Sequence, residues 1–403
     1  MPLGTPSHFS MPLTFIHTAD WHLGHTYWRI GPRAAQSSTW RLDAVRRIWG
    51  LAEEKKADFI VVAGDVFDSD TPSATWRRHA IELLADCPAP VYLIAGNHDP
   101  CAQGSVWFQD DFAGALAGLE NVHLVTEAAP IETPNDAILF PCPVTKKYAR
   151  EDSTAWIPDS SRGEKWRVGL AHGGWKGYFS SGDDQTLNCI SSDCADRAGL
   201  DYLALGDYHS YTPPDHAAAK SRTFYAGTPE IGAKDNIRGG HALCVSIPHP
   251  GEAPLVEPVG VGRVQLCDLG TVSLSCGEEF ESLQNRAAQI QNAEDSIMRA
   301  HVAGHVAPKI ARALDDWLGT MREEWLGVDV DVSKLFAQPT PDDFRALRLE
   351  RLEESLLERL NGHVPSEYLS GVRGASEIAS WSGDAAARRE ALALYYRLLS
   401  EAR

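Results

Sequence analysis

Leu13-Thr14-Phe15-Ile16-His17-Thr18-Ala19-Asp20-Trp21-His22-Leu23-Gly24 decides how the chain folds. An apolar run of strand length ends directly in a carboxylate and an imidazole two positions apart. Alternate residues of an extended segment share one side, so Asp20 and His22 can reach one point together. The arrangement recurs down the chain. Phe59–Ala63 leads into Gly64-Asp65-Val66-Phe67-Asp68, and Val91–Ala95 into Gly96-Asn97-His98-Asp99. Val168–Ala171 leads into His172-Gly173-Gly174, and Tyr202–Leu205 into Gly206-Asp207-Tyr208-His209.

Further strands are expected at Ile138–Phe140 and Thr223–Ala226. Between the strands, Trp40, Ala44, Ile48 and Leu51 repeat at helical spacing, and Ser73 to Ala85 reads as a helix stopping before Pro88. Short apolar runs alternating with helices predict a layered α/β domain. Polar residues at the carboxyl ends of its strands then converge on one site.

The residue types in that site are those of a metal centre. Hard oxygens mixed with imidazoles suit Mn, Fe or Zn better than Mg or Ca. They fit a pair of metals roughly 3.5–4 Å apart, an arrangement used in phosphoester hydrolysis. Such a pair needs a bridging carboxylate, for which Asp65 is our choice. Asp20 and His22 address one metal, Asn97 offers a carbonyl oxygen, and His172 and His209 add imidazoles. His98, beside Asn97, is better placed to protonate a leaving oxygen, with Asp99 holding its ring. Asp68 is expected to brace its loop through backbone N–H groups. His17, inside its strand, is expected to be a buried, hydrogen-bonded residue. His25, Tyr27 and Arg29 either touch substrate or pack their loop. Tyr208 either stacks on a base or packs.

Composition bounds the function. The chain has 403 residues, 43% hydrophobic and 23% charged, with a net charge of −18. Phosphate binding leans on Lys and Arg, so unaided gripping of nucleic acid is disfavoured, although a local patch or basic partner would supply the attraction. The basic stretches are Arg29 to Arg47 and Lys146, Lys147, Arg150. No apolar run reaches the roughly 18 residues of a membrane helix. Met1 to Ser10 lacks a signal-peptide pattern, and the eight cysteines contain no CxxC pair. A cytoplasmic protein with free thiols is expected.

Three segments are expected. Residues 11–245 form the metal-bearing domain. Pro248, Pro250, Gly251, Pro254 and Pro258 mark a boundary to a smaller α+β domain over 246–339. Within it, Val264 to Leu274 reads as strand, and Phe280 to Arg299 and Ala307 to Leu326 as helices. From Thr340-Pro341-Asp342-Asp343, a helix start, residues 340–403 carry a stripe of Leu349, Leu352, Leu356 and Leu360, then Leu392, Tyr395 and Leu399. The stripes either pack on their own domain or dock a partner.

The series of motifs resembles the calcineurin-like metallophosphoesterase superfamily. Within it, His17 to Gly24, Gly64 to Asp68 and Tyr225-Ala226-Gly227-Thr228-Pro229-Glu230 resemble the SbcD-type DNA-repair exonucleases. The resemblance covers residues 12 to 245. It implies a four-layered αββα core with a capping domain, two Mn ions, and 3′–5′ exonuclease and single-strand endonuclease activity on DNA. It further implies a homodimer and an SbcC-like coiled-coil ATPase partner, in DNA repair or defence. By position, it implies that Asp20, His22 and His209 hold the first metal and that Asp65 bridges. Asn97, His172 and residue 207 would complete the second, with His98 as the catalytic histidine. The last motif departs from the family's Gly-His-x-His. Here Asp207 either ligates through oxygen, which we expect, or turns away and leaves the second metal weakly held. Two other functions fit the same motifs: a phosphodiesterase or phosphatase for small molecules or proteins, and a mainly structural component that docks an ATPase.

Overall fold

The computed structural model describes residues 11–25, 34–163, 165–176, 188–213, 221–232, 238–339, 391–395 and 398–399. Arg29, Tyr27 and nearly all of 340–403 lie outside them. The chain divides into two compact units, with the division between Leu266 and Cys267.

The first unit is built on two sheets. In the first, β1 (Leu13–Thr18) lies between β2 (Phe59–Ala63) and β10 (His241–Ile247), with β3 (Val91–Ile94), β4 (Val122–Val125) and β11 (Leu255–Gly260) completing the order β11-β10-β1-β2-β3-β4. Strands β1 to β4 run parallel, in the registers Phe15↔Phe59, Ile60↔Val91 and Val91↔Val122. The second sheet has the order β5 (Ile131–Glu132), β6 (Ala137–Cys142), β7 (Trp166–His172), β8 (Tyr202–Gly206), β9 (Thr223–Tyr225). Parallel pairing sets His172 opposite Gly206.

Helices α1 (Ala34–Lys55), α2 (Ala74–Ala85) and α3 (Asp110–Ala117) cover the outer face of the first sheet. Helix α1 buries Val45, Ile48, Trp49 and Ala52 there, and α2, capped by the Ser73 hydroxyl, buries Ala80, Leu83 and Leu84. Between the sheets, Phe15 stacks on Phe59 at 5.0 Å, and Tyr202 stacks on Phe224 at 5.0 Å. Strands buried on both faces read as unbroken apolar runs, which is why β1, β2, β3, β7 and β8 are legible in the sequence. The far face of the second sheet packs on α4 (Cys194–Arg197) and on Ile157 and Ile190. The layers are thus α, β, β, α, as expected.

The proline-rich stretch expected as a boundary at 246 lies inside this unit. Strand β11 pairs antiparallel with β10, and β10 with β1, which carries the first sheet on to Gly260. Prolines are tolerated there because β11 is an edge strand.

The second unit is a three-stranded sheet, β12 (Gln265–Leu274), β13 (Ser296–Val306) and β14 (Gly327–Ala337), with helices α5 (Gly277–Ala288) and α6 (Pro308–Glu324). The helix expected over Phe280 to Arg299 stops at Ala288. Asn292 takes left-handed backbone at φ 58°, and Ser296 onward enters β13, where Met298, Ala300 and Val302 are buried on alternate positions. The described cysteines are all free thiols. Among the described residues, no helix is long and apolar enough to cross a membrane.

Candidate metal centre

The cluster forms where β1, β2, β3, β7 and β8 end. Asp20, His22, Asp65 and Asp207 all have positive φ, at 54°, 44°, 52° and 99°. Non-glycine residues seldom hold this conformation, and it concentrates at functional sites. The backbone is tied in place nonetheless. Asp20 N–H donates to Gly64 O at 3.0 Å, and His22 N–H to Asp65 O at 3.0 Å. Gly96 is needed for close approach, because a Cβ there would collide with the backbone and carboxylate of Asp65.

Two donor groups face each other across Asp65. In the first, His22 Nε2 and His209 Nε2 are 3.0 Å apart, and both rings come within ligating reach of the Asp20 carboxylate. In the second, His172 Nδ1–H donates to Ala63 O at 2.7 Å, which leaves Nε2 as the atom that could ligate a metal. With the Asn97 amide oxygen turned to the imidazole, His172 Nε2 is 2.7 Å from Asn97 Oδ1 and 3.5 Å from Asp65 Oδ1. Asp65 Oδ2 is 3.6 Å from His22 Nε2. One carboxylate therefore addresses both groups, one oxygen each.

Asp207 turns toward the cluster. Its Oδ1 is 3.9 Å from His172 Nε2, and its backbone N–H donates to the Asp20 carboxylate at 3.0 Å. The side chain remains 37% exposed, on the open side of the group.

Charge favours a cation here. Burial, reinforced by Asp65, pushes Asp20 up to about 8 even though His172 opposes it. Burial alone would lower His172, but Asp65, Asp20 and Asp207 carry it up to about 9. Burial pushes His22 and His209 down, so both rings present neutral nitrogens. Buried carboxylates converging with imidazole lone pairs are a donor set for borderline divalent metals, and the residues fit such ions.

The remaining predicted residues separate. His98 stands at the rim, with its side chain 40% exposed. Its Nδ1–H donates to the Asp68 carbonyl at 3.0 Å, and its backbone N–H donates to Asp65 Oδ1 at 2.8 Å. Asp99 does not hold the His98 ring. It is fully buried, and its two oxygens accept Gly96 N–H at 2.8 Å and Phe67 N–H at 2.9 Å. The loop brace expected of Asp68 is thus made by Asp99, because Asp99 lies beneath the turn while Asp68 faces outward. The Asp68 carboxylate meets imidazoles instead: His25 Nδ1 at 3.1 Å and His22 Nδ1 at 3.4 Å. Those imidazoles, acting against burial, hold Asp68 well below the usual carboxylate range. His25 thus reaches the site through Asp68, and Tyr208 packs edge-on to Tyr225 at 5.8 Å. His17 is buried as expected, against the Tyr202 hydroxyl at 2.9 Å.

Sequence reasoning missed Arg41. Its guanidinium is buried beneath the first turn and donates to Trp21 O at 2.9 Å. Thr228 reinforces the same turn, its hydroxyl donating to Asp20 O at 2.8 Å. The only signal in sequence is a cation on the apolar side of α1, two residues before Asp43 and three before Ala44.

Residues 13–211 match the family described as Calcineurin-like phosphoesterase. Among curated proteins, the chain is 30% identical over 210 residues to an uncharacterized metallophosphoesterase, YhaO, of Bacillus subtilis, covering 49% of this chain and 48% of that one. It is 31% identical over 121 residues to the SbcD component of the nuclease SbcCD of Staphylococcus epidermidis, covering 27% of this chain and 30% of the relative. For the corresponding Bacillus subtilis protein the identity is 31% over 131 residues, 30% of this chain and 31% of the relative. The chain therefore spans about half or less of the length of these relatives.

Proposed function

We propose, on the premise that residues 13–211 match the Calcineurin-like phosphoesterase family, that the chain is a two-metal nuclease hydrolysing DNA phosphodiesters. The observation that carries the reading is Asp65, whose oxygens lie 3.6 Å from His22 Nε2 and 3.5 Å from His172 Nε2. Asp20, His22 and His209 would hold one metal, with His172, Asn97 and Asp207 on the other and Asp65 between them. Two cations there, which we take to be Mn, would supply Lewis acidity at the phosphoryl oxygens.

The chain's own groups do the rest. His98, its Nδ1–H fixed on the Asp68 carbonyl, presents Nε2 at the rim. That atom is placed to hand a proton to the leaving oxygen. Asp68 orients His22 from behind, the way a carboxylate fixes a ligating imidazole. DNA is favoured over a small ester by the partial likeness to the SbcD components of SbcCD nucleases and by the second unit, which a simple diesterase would not need. The same likeness, to one component of a two-part nuclease, supports a partner ATPase; its docking at residues 340–403 rests on the leucine stripes of the sequence alone.

The test is to incubate the protein with Mn and labelled single- and double-stranded DNA, beside His98→Ala and a small phosphodiester. DNA cut by the wild type and spared by the variant supports the reading. Turnover of the small ester alone overturns it in favour of a small-molecule phosphodiesterase.

A further inference from the structure

We propose that the loop Thr145-Lys146-Lys147-Tyr148-Ala149-Arg150 is a built binding rail for single-stranded nucleic acid beside the metal centre. Its cations would hold backbone phosphates, and Tyr148 would stack on an unpaired base. The proposal rests on the nuclease reading and names how the substrate is gripped.

Placement comes first. The loop leaves β6 at the carboxyl ends of the strands, where the cluster lies. Val144 N–H donates to Ala95 O at 3.2 Å, next to the Gly96-Asn97 turn, and Cys101 N–H donates to Val144 O at 2.8 Å. From the other side, Asn188 is a buried weld. Its N–H donates to Ala149 O at 2.7 Å, its amide donates to Lys147 O at 3.0 Å, and its side-chain oxygen accepts Ala149 N–H at 3.1 Å. Asn188 O in turn accepts Gly174 N–H at 3.1 Å, two residues from His172. The loop backbone is thus fixed to the turns that carry Asn97 and His172 of the second donor group.

The side chains are left outward. Lys146, Lys147 and Arg150 are exposed, and Tyr148 is 66% exposed, among the most exposed large hydrophobic residues described. A fixed backbone presenting exposed side chains loses little order on binding. Lys147 Nζ sits 5.9 Å from the Tyr148 ring centre, a cation over one face that leaves stacking to the other. Of the two acids that follow, Asp152 is turned inward, accepting the Thr154 backbone N–H at 2.8 Å and Ser191 N–H at 3.2 Å, while exposed Glu151 accepts Arg150 N–H at 3.2 Å and leaves the strip a net charge of about +2. On a chain of net charge −18, a polyanion needs such a local cationic strip to approach at all. A basic groove with an exposed aromatic is the pattern that binds single strands without sequence preference.

The experiment measures binding of a fluorescein-labelled oligothymidylate to the full chain in EDTA by anisotropy, across a salt series. The variants are Lys146→Gln/Lys147→Gln/Arg150→Gln and, separately, Tyr148→Ala, with thermal midpoints as the folding control. The triple variant should lower the slope of log affinity against log salt by about 2, from about 0.7 per phosphate contact. Tyr148→Ala should weaken binding roughly 5- to 100-fold with the slope unchanged. Wild-type affinity and slope in both variants, with DNA still cut in Mn, would overturn the rail while the nuclease reading stands. A wild type that neither binds nor cuts DNA would overturn both.

Discussion

His172 Nε2 stands 2.7 Å from Asn97 Oδ1, while its other nitrogen is committed to the Ala63 carbonyl. Two acceptors at that distance repel unless a proton or a metal lies between them. Adding Mn to the chelated protein should therefore raise its melting temperature. At 100-fold over the dissociation constant the gain is about 2.7 kcal/mol, or about 3–5 °C for a chain of this size. Differential scanning fluorimetry with and without EDTA checks this, and His172→Ala should lose the part of the shift that the second metal supplies while Asp20, His22 and His209 keep the rest.

Asp207 is tested by counting metals. Its Oδ1 lies on the same group as His172 and Asn97, but on the exposed side. Asp207→Ala should leave one tightly held Mn per chain where the wild type holds two, because Asp20, His22 and His209 are untouched. The backbone N–H that Asp207 gives to Asp20 also survives the change. Isothermal titration gives the number directly, and a count of two in the variant would exclude Asp207 as a ligand.

Asp68 and Asp99 should fail differently. Asp68→Asn loosens His22 and His25, so metal affinity should fall about 10- to 100-fold, with a smaller loss of stability in the metal-free protein from the ion pairs removed. Asp99→Ala strands two buried N–H groups, at about 1–3 kcal/mol each. It should lower the denaturant midpoint. Paired urea melts and metal titrations separate the two effects.

His17 should give a pH signature. Burial pushes it down to about 3, against 6.5 in the unfolded chain. Below pH 6.5 the unfolded state takes up a proton that the folded state refuses. Stability is therefore full above 6.5 and falls as pH drops toward 3. Between pH 7 and 5 the wild type should lose about 2 kcal/mol more than His17→Gln. Equal losses in urea melts at the two pH values would contradict this.

The sequence by itself determined the strands buried on both faces and the donors at their ends. A buried parallel strand is one apolar run, and the residue after it is where loops converge. Local pattern thus points to Asp20, His22, Asp65, Asn97, His172, Asp207 and His209. The edge strand β11 and the turn at Asn292 are not legible, because short, half-exposed or proline-bearing segments carry no period. Tertiary structure alone decided what each polar group faces. Asp68 and Asp99 occupy like positions after successive strands, yet one meets two imidazoles and the other two backbone amides. Arg41, 20 residues from the carbonyl it holds, comes to the site only through packing of α1. Hydrogen bonds act over about 3 Å, and separations in sequence do not encode distances of that size.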